Sequence, residues 1–430
     1  MKADPAYAGA MAKKRASSGN PVRSAQTRRP AASNARRKGR TPVAGHEAAG
    51  DGAGAVRLAI GCMTGTSIDG LDVALVEISG KGLGMSAGFV AGLSRPLGPI
   101  ATDLRRLADQ QPLPASKIAE LMWVLGDLHA EAAHDLAAGH ARGERIDLVC
   151  VHGQTVYHAA GRTWQLIQPA PIARRLGAPV VYDLRAADVA ARGQGAPITP
   201  IADWVFFRSD RAARAVVNLG GFCNVTIVPA SGGSDASGVR GKDVCACNQL
   251  LDGLARVRLG RRFDENGAVA ATGKVIPKAL AALEEIIRRQ ATSGRSLGTG
   301  DELASWISTT AAQPGADVVR TACEAIARAV ADAVERSDEV ILAGGGVRNA
   351  TLVAAIRAAM GAVGAAGDAS SGRRVLTTAE LGVPIEFREA AAFAVLGALC
   401  QDRVPITLPS VTGCPSPAPV AGAWMMAPGT

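Results

Sequence analysis

Thr64-Gly65-Thr66-Ser67-Ile68-Asp69-Gly70 stands between the apolar run Val56–Ile60 and the stretch Leu71–Ile78, which alternates apolar and polar residues at its two ends, like a strand. Alternation with a period of two marks a strand with one face buried. The segment therefore reads as a strand, a turn over Gly61–Gly70 and a second strand. A bound phosphate needs several N–H and O–H donors at close range, without side-chain obstruction. Gly65 and Gly70 let the backbone approach, and Thr66 and Ser67 add hydroxyl donors. The candidate phosphate-binding set is Thr64, Gly65, Thr66, Ser67, Ile68, Asp69, Gly70 and Leu71. Asp69 is the candidate ligand for Mg²⁺, directly or through water. The same residue types also build ordinary hairpin loops, so the motif has to be weighed with others.

The pattern restarts further along. Ala215–Leu219 and Val225–Pro229 read as strands around the turn Gly220–Asn224, which makes Asn218, Gly220 and Gly221 a second candidate phosphate set. A third glycine-rich turn, Gly344-Gly345-Gly346, follows the apolar run Val340–Ala343 and precedes a helix expected over Asn349–Met360. Three consecutive glycines carry a high chain entropy for a turn alone. They let a ligand lie flat against the backbone at a helix start, and Asn349 joins the candidate set. No GxGxxG follows the first strand and no GxxxxGK[ST] occurs, which removes the main support for dinucleotide-binding and P-loop folds. Two strand–turn–strand units, each followed by helices and short apolar strands, predict an α/β protein of two related domains. The boundaries expected are a basic extension over 1–54, a first domain over 55–213 completed by 390–430, and a second over 214–389.

Between these landmarks, residues 101–141 read as helical, with Leu104, Leu107, Ile118, Leu121 and Leu128 as core candidates. Ile146–Val151 and Pro179–Asp183 read as strands, and 168–177 as a helix. Helices are expected over 245–257, 276–290, 317–336 and Glu389–Cys400. The third has Val318, Ala322, Ile326, Val330 and Val334 at every fourth position. The stretch from Pro405, rich in Pro and Gly, reads as irregular.

Composition narrows the classes. Of the 430 residues 48% are hydrophobic but only 3% aromatic, so the cores must be built from Ala, Val, Leu and Ile. The net charge is +9, yet residues 1–54 alone hold 11 Lys/Arg against 3 Asp/Glu. The remainder is nearly neutral, which argues against nucleic-acid binding by the core and leaves it, as a separate reading, to the extension. No apolar run reaches the roughly 18 residues of a membrane span, and no secretory signal is apparent. The eight cysteines read as small buried residues, and the spacing of Cys and His does not favour a structural zinc site.

A hairpin turn in each half and a late triple glycine resemble the actin–hexokinase–Hsp70 ATPase superfamily. Further motifs narrow the resemblance: His152-Gly153-Gln154-Thr155, Asp183-Leu184-Arg185-Ala186-Ala187-Asp188, Gly193-Gln194-Gly195-Ala196-Pro197, Phe263-Asp264-Glu265-Asn266-Gly267, Ser293-Gly294-Arg295, Phe387-Arg388-Glu389-Ala390 and Pro409-Ser410-Val411-Thr412-Gly413. Over roughly 56–425 they resemble, in order, the anhydro-N-acetylmuramic acid kinase family.

The resemblance implies a duplicated, two-domain actin-like (ribonuclease H-like) fold with ATP and Mg²⁺ in the cleft. It implies hydrolytic opening of the 1,6-anhydro ring and phosphorylation of O6, in cytoplasmic cell-wall recycling. It leads one to expect a homodimer and no membrane partner. In Lys242-Asp243-Val244-Cys245-Ala246-Cys247-Asn248 it points to Asp243 as the general base. Glu389 would contact the sugar; Asp183, Arg185 and Asp188 would line its pocket, with Arg185 suited to a carboxylate; His152 and Gln154 would meet sugar hydroxyls. An ion pair of Arg185 with an aspartate, and backbone contacts for His152 and Gln154, are the structural alternatives.

The chain departs from the family pattern at several positions. Lys242 replaces a phenylalanine and would lower the proton affinity of Asp243. Cys245 and Ala246 replace a glycine–proline pair, and a cysteine would be strained there if the backbone were left-handed. Ile167 and Gln168 stand for a glycine and an Asn or acidic residue, and Arg192 for a glycine. Two rival readings follow: another sugar or carboxylate kinase on the same scaffold, or a catalytically weak ATP-binding protein.

Overall fold

The computed structural model describes residues 56–427 except 66, 69, 142, 232, 293–300, 335 and 362–372. The basic extension, Thr66, Asp69 and the motif Ser293-Gly294-Arg295 thus lie outside the described residues. Strand β1 (Arg57–Thr64) pairs antiparallel with β2 (Gly70–Ser79), from Arg57↔Ile78 to Thr64↔Leu71, and β2 pairs with β3 (Ser86–Pro96). Gly61–Thr64, expected in the turn, is therefore strand. Gly61 is needed there, because a Cβ would stand 1.9 Å from the carbonyl oxygen of Ala390.

Helices α1 (Ile100–Ala108) and α2 (Ala115–His140) replace the single helical stretch. Pro112 and Pro114 cannot donate to an i−4 carbonyl, so the helix breaks between them. Leu104, Leu107 and Leu121 are buried as expected; Leu128 is only half-buried, and Leu125 and Leu136 fill the core instead. Next come β4 (Leu148–Val151), the hairpin β5 (Gln154–Ala159) and β6 (Arg162–Leu166), α3 (Ala170–Leu176), β7 (Val180–Tyr182), α4 (Ala186–Ala190) and α5 (Pro200–Phe207).

The second half repeats the opening. Strands β8 (Arg214–Leu219), β9 (Phe222–Val228) and β10 (Arg240–Ala246) form an antiparallel meander. Cys245 and Ala246, expected in a helix, close β10, and the following helix α6 covers only Asn248–Leu254. Helices α7 (Ala268–Thr272), α8 (Pro277–Thr292), α9 (Asp301–Thr309) and α10 (Gly315–Ala333) follow, then β11 (Glu339–Ala343), α11 (Ala350–Ala359) and β12 (Arg374–Thr377). The chain then returns through α12 (Arg388–Gln401), α13 (Pro409–Thr412) and β13 (Ala423–Met425). The stretch from Pro405, expected to be irregular, contributes a helical turn and an edge strand.

The first sheet has the order β13-β7-β4-β1-β2-β3 and the second β10-β9-β8-β11-β12. In each, a three-strand antiparallel meander is followed by two strands that run parallel to its first strand. The same five-strand plan is built twice, which is the duplicated ribonuclease H-like order expected.

Three apolar cores result. One lies on the α1–α3 face of the first sheet. A second lies between the other sheet and α6–α11, and buries the full stripe Val318, Ala322, Ile326, Val330 and Val334. The third takes Ala59, Ala74 and Leu148 from the first sheet, Val216, Val228 and Ile341 from the second, and α5 and α12. The first sheet's inner face, the second sheet's inner face and these two helices thus share one apolar interior.

Candidate functional site

The inner face of the second sheet carries more than apolar residues. Val216 lies on that face, so by alternation Asn218 does too. The ladders align Asp243 with Asn224, Asn224 with Asn218 and Asn218 with Ala343. Residues directly opposite in a sheet share a face, so Asp243, Asn224 and Asn218 form one polar row. A bulge between Asp243 and Cys245 ends the regular ladder just beyond Asp243; bulges of this kind re-aim the side chain beside them.

The row continues onto α12, which lies against the first sheet. Asn218 Nδ2 donates to Glu389 Oε1 at 3.0 Å. Glu389 lies in the first turn of α12 and is half-buried. One turn later on the same helix, Phe393 packs against the His152 ring with centroids 4.8 Å apart. Arg185 donates to His152 Nε2 from Nε at 3.1 Å and from Nη2 at 3.0 Å, and to the Gly195 carbonyl from Nη1 at 2.7 Å.

Because Arg185 can only donate, His152 Nε2 accepts and Nδ1 carries the proton, which it donates to Gly153 O at 2.9 Å. Burial, then the adjacent Arg185 charge, holds the His152 imidazole well below its usual range, so the ring is neutral. Burial pushes the Arg185 guanidinium down to about 10, and the charge of Glu389 opposes that drop. Glu389, Arg185 and His152 are thus one electrostatic group.

The three glycine turns meet the same region in different ways. At the first, Ile68 N donates to Gly65 O at 3.1 Å, with Ile68 at φ 52°, and Gln154 Nε2 reaches the same carbonyl at 3.3 Å. Thr64 Oγ1 is buried and finds no partner among the described residues. Ile68 and Leu71 are buried in the apolar core, so only their backbone is available to a phosphate. At the second turn, the carbonyls of Gly220 and Gly221 accept from Asn248 N at 3.0 Å and Cys247 N at 2.9 Å, at the start of α6. At the third, Gly344 has φ 82°, and a Cβ would come within 2.4 Å of Asn218 Oδ1. A Cβ on Gly346 would come within 2.7 Å of Leu219 Cβ. The second and third turns are therefore in direct contact, and Gly345 and Gly221 remain exposed. A 3-10 turn over Gly345–Arg348 joins the glycines to α11, whose span Ala350–Ala359 agrees with the helix expected over Asn349–Met360. Asn349 caps α11, accepting from Leu352 N at 2.9 Å.

Several expected ligand contacts are taken by the chain itself. Asp188 is fully buried; its Oδ2 accepts from Gly195 N at 2.7 Å and its Oδ1 from Thr412 Oγ1 at 2.8 Å. It clasps the loop Gly193–Pro197 to α13. Arg185 pairs with His152 and a carbonyl and not with an aspartate, and its Nε–Nη2 edge is already used. His152 and Gln154 are bonded to the backbone. Asp183 is half-buried, with φ 52°.

Against known proteins, residues 57–426 match the family model described as Anhydro-N-acetylmuramic acid kinase. A protein of that name from Gloeobacter violaceus is 37% identical over 374 residues, which are 83% of this chain and 95% of the relative. One from Paraburkholderia xenovorans is 37% identical over 369 residues, 82% of this chain and 94% of the relative. The chain belongs to the anhydro-N-acetylmuramic acid kinase family. Among solved structures, a ROK family glucokinase from Streptomyces griseus, in complex with glucose and AMPPNP, covers 79% of this chain and 99% of its own at 18% identity, with a TM-score of 0.37.

Within the family frame the departures acquire a geometry. Cys245 lies in β10 beside the bulge and is not among the described non-glycine residues with left-handed backbone, so the strain expected from such a backbone is absent. Arg192, at another position where glycine is expected, does adopt φ 70°. Lys242 is exposed, and strand alternation turns it away from the face of Asp243. Gln168 Oε1 accepts from Ala170 N at 3.3 Å at the start of α3. Asn224, Asp203, Thr226 and Arg388 escaped the sequence reading. Asn224 closes the turn Gly220–Asn224 expected from the sequence, but only the register shows that it joins Asp243 to Asn218. Among the described residues no cluster of three or more His, Cys, Asp or Glu suits a metal, and no helix is long and apolar enough to cross a membrane.

Proposed function

We propose that Asp243 and Glu389 are the acid–base and sugar-binding centres of an ATP-dependent kinase that opens 1,6-anhydro-N-acetylmuramic acid and phosphorylates it. Membership of the family makes the chain a sugar kinase of this kind. Asp243 takes a proton from water as the water oxygen bonds to C1. The C1–O6 bond breaks, and O6 attacks the γ-phosphorus of ATP. ADP leaves, and the product is N-acetylmuramic acid 6-phosphate. The reaction serves cell-wall recycling in the cytoplasm.

The observation that carries this reading is the polar row Asp243–Asn224–Asn218, which ends on Glu389. It links a candidate base on β10 to a candidate sugar ligand on α12. Glu389 orients the sugar, and Arg185, held by His152, offers positive charge to the lactyl carboxylate by its remaining N–H groups. The turns 64–70, 218–221 and 344–346 bind the phosphates between two domains, 55–213 with 390–430 and 214–389. Their exposed backbone around Gly221 and Gly345 suits close approach by a nucleotide. Mg²⁺ would be held by Asp69 beside the hydroxyl-rich first turn, where it would neutralise charge on the β- and γ-phosphates.

A coupled ADP-release assay with the anhydro-sugar, followed by mass spectrometry, tests the reading. The product should be heavier than the substrate by phosphate plus water; phosphate alone would indicate an ordinary hydroxyl kinase and reject the ring-opening step. Asp243→Asn should lower kcat by roughly 10²–10⁴, the usual size of a general-base contribution. Near-normal turnover in that variant would remove Asp243 from the role.

A further inference from the structure

Beside the proposed site lies a buried ion pair that no step above uses. Arg388, the residue before Glu389, is 2% exposed, and Asp203 on α5 is 1% exposed. Arg388 Nη2 donates to Asp203 Oδ2, and Thr226 Oγ1 on β9 donates to the same oxygen at 2.8 Å. Asp203 Oδ1, Arg388 Nε and Arg388 Nη1 have no hydrogen-bond partner among the described residues. Such a pair is a poor device for stability. Desolvation of two charges and three unmet polar atoms offset most of the attraction, and apolar residues of like volume commonly serve as well. The rest of α12 is indeed buried in apolar contacts.

The location suggests another role. The ring of Phe387 lies on Gly92 of β3, where a Cβ would stand 2.4 Å from it, and stacks with Phe89 at 5.8 Å. Arg388 is tied to α5 and β9 through Asp203. Ala390 O rests on Gly61 of β1. Three residues around Glu389 are thus fixed to different elements, and the Glu389 carboxylate is left on Asn218 of β8.

We propose that Asp203 and Arg388 are positioning residues: their ion pair fixes the first turn of α12 between the two halves of the chain and so sets Glu389 against the sugar. The inference rests on the reading of Glu389 as a sugar ligand. A charged pair has one register, whereas an apolar contact tolerates sliding; a displacement of about 1 Å at a reacting group can lower turnover a hundredfold.

The test replaces the pair by Asp203→Leu with Arg388→Met and measures urea unfolding and the full kinetics. The double variant should fold with near-normal stability. Its kcat/KM for the anhydro-sugar should fall about ten- to a hundredfold, with the KM for ATP changed less than about twofold. In a Glu389→Gln background the same replacement should cause no further loss, because the pair acts through Glu389. Thr226→Val, a milder change, should lower kcat/KM for the sugar severalfold and keeps the proposal testable if the double variant does not fold. Normal sugar kinetics in the folded double variant would overturn the proposal. So would losses that multiply with Glu389→Gln, or a parallel rise in both KM values. If Glu389→Gln alone leaves sugar kinetics unchanged, the reading of Glu389 fails and the proposal with it. If that variant is impaired while the pair replacement is silent, only the positioning role fails.

Discussion

Arg192 holds a side chain in backbone that glycine would occupy freely: φ is 70° and the side chain is exposed. Left-handed backbone costs a non-glycine residue about 1–2 kcal/mol, while a glycine returns about 0.5–1 kcal/mol through its larger unfolded-state entropy. Arg192→Gly should therefore stabilise the protein by about 0.5–1 kcal/mol, visible as a higher urea midpoint with unchanged slope. An unchanged or lower midpoint would show that Arg192 makes compensating contacts. Gly344 is the converse. With φ 82° and Asn218 Oδ1 within 2.4 Å of a Cβ, Gly344→Ala should displace Asn218 and with it the hydrogen bond to Glu389. The expected result is loss of sugar affinity as well as ATP affinity, measured by calorimetric titration of each ligand.

Strand β1 lies against α12 with no side chain between Gly61 and the Ala390 carbonyl. Gly61→Ala should reach or exceed the upper end of the about 1–3 kcal/mol expected for overpacking, read from thermal unfolding. Helix α2 carries a titratable weak point. His129 is buried, its Nδ1 is 2.7 Å from Leu125 O, and burial pushes its imidazole down to about 4. A depressed folded value means that the unfolded chain takes up the proton first. The stability present above pH 6.5 is lost as the pH falls toward 4, by about 3 kcal/mol. His129→Leu should flatten that part of the stability–pH curve; an identical slope in the variant would contradict the assignment. At this scale the sequence is partly legible. The stripe Val318–Val334 and the apolar runs of β1, β4, β8 and β11 announce themselves because burial enforces a period. Strand β3 does not: it is mostly exposed and carries Gly88 and Gly92, so no alternation betrays it. Motifs located the glycine turns and Asp243, but no motif encodes a register. The row from Asp243 to Asn218 and the pairing of Asp203 with Arg388, 185 residues apart, are visible only once the sheets are built.

Across the whole molecule, charge and chemistry are separated along the chain. Removing residues 1–54 should take the net charge from +9 to about +1 and abolish salt-sensitive binding to polyanions, while phosphoryl transfer persists; retention on a heparin column and the ADP-release assay check the two halves of that statement. The shared interior has a further consequence. β1, β2 and β4, near the start of the fold, are covered by α12 at 388–401 and the first sheet is edged by β13 at 423–425. On a ribosome the usual order, in which an early domain folds before a later one is made, is not open to this chain. Its first sheet waits with a bare apolar face until α12 has been made. A nascent chain stalled at residue 387 would present that face to chaperones even though both sheets' central strands have been synthesised.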